Sequence, residues 1–427
     1  VVCLDVLLST MDALIEGKNL SSVVKGGAGT GKTILAINMI NTLYRAQQIN
    51  VDEWNDSDDD FTPEVSKMYN QVIQKIKDYK VKRNIDRLKI GFAVPMEPLR
   101  NTISKVFDAM NMAGIITSPN DVSREEEYDI LFVDESHRLF HRQSIPNFAA
   151  FDDTTNRINA QCSNLPKLVQ NCNQLDWIVR KSRSRVLFYD PEQNVRNCDL
   201  TPDEFIQSLS VTENKDYNIY AQMRCGGGTV FTSHIDKIFD GSAENKIDFH
   251  DTNYDFLLFD DFKDMHSLIL QQDDDPEIGL CRLVSGISWK SWRRPGRKSI
   301  HTYIKENNED VKRTKDYMRR LPKSKMKELS DKYIEDGNYD MEIDGVKMAW
   351  NSTIDGWVIS PNAPNEMGCI HTIQGYDVNY IGVGISPKFE DDIKTKQFFV
   401  NKKPWNDADG KSIETMDEER LVQTAIN

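Results

Sequence analysis

Residues 26–33 read Gly-Gly-Ala-Gly-Thr-Gly-Lys-Thr, the spacing GxxxxGK[ST] in full. Gly26, Gly27, Gly29 and Gly31 let backbone N–H groups turn inward around phosphate oxygens, because no Cβ obstructs them. Ala28 and Thr30 complete the loop. A helix that comes at once after it points its positive N-terminus at the same anion. Lys32 can then reach the β- and γ-phosphates of a nucleoside triphosphate, and the Thr33 hydroxyl can coordinate Mg²⁺. A chance glycine-rich turn would not need a strand before it and a helix after it. Here "SSVVKG" and "KTILAINMINTLYRA" read as both.

Three further stretches carry chemistry. In "ILFVDESH", Asp134 ends an apolar strand and is placed to hold Mg²⁺ through water, while Glu135 can orient and deprotonate the attacking water. Acids at a strand end are often mere solvated termini, so this pair gains meaning from the phosphate loop. "VLFYDPEQNV" repeats the strand-then-acid design, putting Asp190 and Gln193 beside the same pocket. Gln193 could sense the γ-phosphate, and an ordinary turn at Pro191 is the plainer account. "YAQMRCGGG" offers Arg224, whose planar charge suits a phosphoryl group in transfer, or a surface position. ATP and Mg²⁺ are the implied cofactors and anhydride hydrolysis the implied reaction. A kinase would need a receiving site, and nothing marks one.

The chain carries a net charge of −14, which argues against nucleic acid until the charge is placed. Residues 290–327 hold 14 Lys and Arg against 4 Asp and Glu, a net +10, leaving −24 on the remainder. Within it, "GISWKSWRRPGRKS" interleaves Trp289 and Trp292 with Arg293, Arg294 and Arg297. Stacking on aromatics plus phosphate neutralisation is the pattern for single strands. Core tryptophans beside a solvated basic loop fit the same residues equally well.

These residues need a scaffold. "SSVVKG", "RLKIGFAV", "YDILFVDE" and "SRVLFYD" are apolar strands separated by helical segments such as "MDALIEGKNL" and "MEPLRNTISKVFDAM". That alternation predicts an α/β fold, a mostly parallel sheet with helices on both faces. Ligands of such sheets bind at the carboxyl ends of strands. At 427 residues the chain has room for two or three domains, and a boundary near residue 200 divides it into 1–200 and 201–427. In the second half, "NKIDFHDTNYDFLLFDD" and "GLCRLVSGISW" read as strands. "GCIHTIQGYDVNYIGVGI" reads as two strands about a turn at Gly375.

Other classes are excluded. Hydrophobic content is 39% and charged content 28%, with no run of about 18 apolar residues, so a membrane span is not expected. Val1 opens a segment without a basic n-region, which predicts a fragment or processed product rather than a signal peptide. Seven cysteines without a CxxC pair fit a reducing cytoplasm. His137 and His141 lie four apart, but Glu135 precedes both, so this is not the HExxH zinc motif.

The order of motifs resembles the superfamily 1 helicases, and more narrowly the Schlafen-group-3-like DNA/RNA helicase domain family, over about residues 23–385. The resemblance implies two RecA-like P-loop NTPase domains with ATP in the cleft between them. Lys32, Thr33, Asp134, Glu135 and Gln193 would come from the first and Arg224 from the second. "AVPMEPLRNTI", with Pro95 and Arg100, would match the segment that touches single-stranded nucleic acid. His371, Gln374 and Gly375 would couple nucleotide to nucleic acid. Three departures stand out. No N-terminal adenine-reading glutamine is evident, "FYDPEQNV" replaces "GDxxQL", and the chain stops about where the last arginine motif would begin. The leading reading is an ATP-dependent helicase or translocase on single-stranded or tailed DNA or RNA. The others are a nucleic-acid-stimulated ATPase switch, in phage defence or beside a fused nuclease domain or subunit, and an ATPase that remodels protein only.

Overall fold

Six strands, every neighbouring pair parallel, make the sheet of residues 1–232. They are β1 (Leu20–Lys25), β2 (Ile90–Ala93), β3 (Ile116–Thr117), β4 (Tyr128–Val133), β5 (Ser182–Tyr189) and β6 (Glu213–Asn218), in the order β3-β2-β4-β5-β1-β6. The computed structural model describes residues 1–48, 62–143, 145, 147–169, 171–194, 198–222, 226–239, 251, 254–286, 298–307, 321–352, 356–373, 376–385, 389–392 and 397–400. Two units divide the chain, 1–232 and 233–426.

The strands are apolar because both faces of the sheet are covered. Val24, Phe92, Ile130, Phe132, Val186 and Phe188 join a core with α1 (Val2–Glu16), α2 (Lys32–Ala46), α3 (Pro63–Arg83) and α4 (Glu97–Ala109). Their sequence neighbours Val23, Ala93, Leu131, Val133, Leu187 and Tyr189 point the other way, into a core with α5 (Phe148–Gln161), α6 (Gln174–Lys181) and α7 (Pro202–Leu209). This is the period of two of a strand, with helices on each side. The helix starts are specified locally. Asn173 with Asp176 and Thr201 with Glu204 form capping boxes for α6 and α7, and Thr62 caps α3 ahead of Pro63. The edge strand β6, "ENKDYN", has no apolar alternation and exposes most of its side chains. It pairs along the whole of β1, with Lys25 in an ion pair to Asp216 at 2.5 Å.

Residues 233–426 carry a second sheet. It comprises β7 (Cys281–Ser285), β8 (Met341–Ile343), β9 (Val346–Trp350), β10 (Glu366–Cys369) and β11 (Tyr380–Gly384), ordered β11-β7-β10-β9-β8. All pairs are parallel except the β8–β9 hairpin, which turns on Asp344-Gly345, both at positive φ. The antiparallel pair β12 (Phe389–Asp392) and β13 (Gln397–Val400) comes after it. Helix α8 (Gly228–Phe239) begins in the first unit and ends in the second, before α9 (Phe262–Asp274), α10 (Ile300–Asn307), α11 (Lys323–Glu335) and α12 (Ile370–Ile373). No described helix is long and apolar enough to cross a membrane.

Two expected strands differ. "DFLLF" is irregular over 254–259, with Leu257, Leu258 and Phe259 exposed and Asp261 capping α9 through Lys263 N. Among the described residues no strand pairs with it, and an apolar run without such a neighbour has no ladder to join. After β10 the chain does not continue extended but winds into α12, where Thr372 Oγ1 donates to Cys369 O at 2.7 Å.

Close packing constrains β10. A Cβ on Gly368 would fall 2.3 Å from a ring carbon of the fully buried Trp357, whose Nε1 donates to the buried Glu366 at 2.8 Å. Gly368→Ala should therefore destabilise the second unit by about 1–3 kcal/mol, measured by denaturant unfolding. An unchanged midpoint would show that the ring can step aside.

Candidate nucleotide-binding site

β4, β5 and β1 are adjacent, and their register sets Lys25 opposite Tyr189 and Val133 opposite Leu187. The segments leaving their carboxyl ends therefore meet at one sheet edge. The loop 26–31 leaves β1, Asp134 and Glu135 leave β4, and Asp190 leaves β5. Gly29 and Gly31 take φ of 77° and 82°, the left-handed region that glycine enters at least cost, and Gly31 is the N-cap of α2. Lys32 is the first residue of that helix and is buried. Its Nζ donates to Gly26 O at 2.6 Å, Gly27 O at 2.8 Å and Asp190 Oδ2 at 3.2 Å. Thr33 Oγ1 donates to Asp134 Oδ2 at 2.7 Å. The loop, Lys32, Thr33, Asp134, Glu135 and Asp190 are thus brought together, and Gln193 lies on the short 3-10 turn after β5.

Glu135 sits at φ 45°, ψ 46°, a conformation uncommon for a side chain with a Cβ. It turns the chain from β4 into the 3-10 segment Ser136–Arg138, which Ser136 Oγ anchors by donating to Phe188 O at 2.8 Å. Burial first, and then the Asp134 carboxylate, push the Glu135 carboxyl up to about 7, with Lys32 and Arg138 pulling the other way. A base poised there suits proton abstraction near neutrality.

Hard oxygen donors from Thr33 and Asp134 suit Mg²⁺, which keeps waters and takes its remaining oxygens from phosphates. Among the described residues no cluster of three His, Cys, Asp or Glu could hold a metal by itself. The left-handed glycines and the helix N-terminus fit a phosphate.

Pro95 and Arg100 also come together, at the end of β2. Arg100 Nη1 donates to Val94 O at 2.9 Å and Pro95 O at 3.4 Å, so this guanidinium fastens its own loop. Asp134 N donates to Ala93 O at 3.0 Å, which sets that loop beside the acids. His371 lies in α12, and its side chain is outside the described residues. Arg224, Gln374, Gly375, Trp289, Trp292, Arg293, Arg294 and Arg297 also lie outside them.

Two site residues escape the sequence reading. Gln222 Nε2 donates to Ala28 O at 2.7 Å, and a Cβ on Gly29 would fall 1.9 Å from Gln222 Oε1. His137, fully buried, lies with Nε2 3.1 Å from Glu135 Oε2. Only membership in "AQMRC" and "DESH" hinted at either.

A family model described as Schlafen group 3, DNA/RNA helicase domain, matches residues 21–426. The chain belongs to this family. The match spans both units and the whole of the site. The uncharacterized protein YPL245W of Saccharomyces cerevisiae is 22% identical over 391 residues, covering 84% of this chain and 67% of the yeast protein. Its name states no activity.

The raised Glu135 carboxyl has a stability consequence. An unfolded glutamate ionises near 4.5, whereas the folded one holds its proton to about 7. Folding is therefore penalised increasingly as pH rises from 4.5 to 7, and fully above 7. Glu135→Gln should stabilise the nucleotide-free protein by roughly 1–3 kcal/mol at pH 8. The gain should shrink as pH falls toward 4.5. Thermal melts across pH check this, and a pH-independent difference would contradict the burial argument.

Proposed function

We propose that the chain is an ATP-dependent helicase or single-strand translocase, hydrolysing ATP with Mg²⁺ to move on DNA or RNA. The observation that carries this reading is the meeting of the glycine loop, Lys32, Thr33, Asp134, Glu135 and Asp190 at one sheet edge, in a member of a helicase-domain family. The two units, each built on a mostly parallel sheet, are read as two RecA-like domains.

The chemistry rests on the side chains and the loop backbone. Backbone N–H groups of the loop and the start of α2 bind the phosphates. Lys32 gives up its contacts with Gly26 O, Gly27 O and Asp190 to neutralise phosphate charge. Thr33 and Asp134 would hold Mg²⁺, which when bound offsets the charge of the phosphate oxygens. Glu135 orients a water and accepts its proton. Asp190 and Gln193 sense the γ-phosphate from β5, and Arg224 stabilises the phosphoryl group in transfer. Single-stranded or tailed nucleic acid is the proposed partner, met by Pro95, Arg100 and His371 and by Trp289, Trp292, Arg293, Arg294 and Arg297 in the basic window.

ATP hydrolysis measured with and without single-stranded DNA and RNA, and then strand displacement on a tailed duplex, tests this. Stimulation with displacement is expected, and Lys32→Ala should reduce turnover by at least about 100-fold. Stimulation without displacement would replace the helicase with an ATPase switch, and absence of stimulation would remove nucleic acid from the reading. Charge reversal of Arg293, Arg294 and Arg297 together should weaken polymer binding and lower the slope of log K against log salt by about 2–3. Unchanged binding would return that window to a solvated loop.

A further inference from the structure

We propose that His137 is a positioning residue for the hydrolytic acid, tying the Glu135 carboxylate to the exit of β5. The proposal rests on Glu135 being the proton acceptor of hydrolysis.

The ring is held on three sides. Asp190 N–H donates to His137 Nδ1 at 3.3 Å. His137 Nε2 lies 3.1 Å from Glu135 Oε2. The ring meets Tyr189 edge-on with centroids 6.5 Å apart, and Tyr189 in turn stacks on Phe205 of α7 at 4.3 Å. The first contact decides the tautomer. A nitrogen that accepts a backbone N–H carries no proton, so in the neutral ring the proton resides on Nε2, the nitrogen that faces Glu135 Oε2. The same logic orients metal-binding histidines through a carboxylate, here applied to a base instead of a metal.

Glu135 needs such a tether. Its backbone is in the left-handed region, and a glutamate has three rotatable side-chain bonds to place one carboxylate. Asp190 contributes at both ends. Its amide holds the ring while its Oδ2 accepts from Lys32 Nζ at 3.2 Å. Lys32, Asp190, His137 and Glu135 therefore form one chain of contacts from the phosphate loop to the acid. A ring that served only as filler would not need one nitrogen bonded to a backbone N–H and the other set against a carboxylate.

The test uses the whole chain with ATP, Mg²⁺ and a single-stranded oligonucleotide, comparing wild type, His137→Ala, His137→Gln, Glu135→Gln and the double variant of His137→Ala with Glu135→Gln. Affinity for a fluorescent ATP analogue and the thermal midpoint are measured alongside kcat and KM. We expect His137→Ala to lower kcat by about 10- to 100-fold, as misplacement of about 1 Å can, with KM and analogue affinity nearly unchanged. His137→Gln, whose amide can place a donor beside the carboxylate, should recover most of the loss. In the Glu135→Gln background, His137→Ala should add less than about 2-fold, because the two residues act as one unit. An unaltered kcat in His137→Ala overturns the positioning role and leaves Glu135 as base. Parallel loss of affinity and thermal midpoint without recovery in His137→Gln overturns it in favour of packing. Full activity in Glu135→Gln, or no turnover in the wild type, overturns the hydrolysis reading beneath it.

Discussion

The parallel pairing of β1, β4 and β5 is the constraint on which the site depends. Only parallel strands deliver three successive carboxyl ends to one edge, and only a register within a residue or two brings their next side chains into contact. Thr33 and Asp134 are 101 residues apart in sequence and hydrogen-bonded, and Lys32 and Asp190 are 158 apart and paired. The apolar strands have the same cause, since helices on both faces leave no solvated side for polar alternation. Slippage of β4 by one residue would send Asp134 toward the opposite core.

Crowded charge is the second feature. Asp134 and Asp190 are almost completely buried, Glu135 turns beside them in a left-handed conformation, and Lys32 and Arg138 supply opposite charge close by. Such an arrangement opposes folding locally. It suits the proposed base near neutrality and a cation that would meet phosphate, and the rest of the sheet supplies the offsetting burial. The ring of His137, backed by Tyr189 and Phe205, brings aromatic packing from the other face of the sheet to the acid.

The second unit handles buried charge differently. Glu366 is fully buried yet accepts from Trp357 Nε1 and Ser352 N, while Asp273 meets both Arg282 and Lys323. These acids are satisfied by hydrogen bonds and packing within their own sheet and helices, which marks them as scaffold. The contrast with Glu135 is physical. A scaffold acid collects donors, whereas the site acid lies among other acids.

The phosphate loop, the strands before and after it and the acids after β4 were legible in the sequence, because each is contiguous and rests on local geometry: glycine at positive φ, a helix N-terminus, an apolar run ended by polar residues. Asp190 was legible for the same reason. β6 was not, since "ENKDYN" is a strand only by pairing with β1, and "DFLLF" misled because apolar content alone does not make a ladder. Arg100 carried a single signal and was found fastening Val94 and Pro95. His137 and Gln222 acquire partners only through register and strand order, which place the end of β5 against "DESH" and the segment after β6 against Ala28. The sequence by itself determined which groups have the types and spacing that a triphosphate site would need. Tertiary structure alone decided which of them touch, because those contacts span more than a hundred residues and exist only once the parallel sheet has closed.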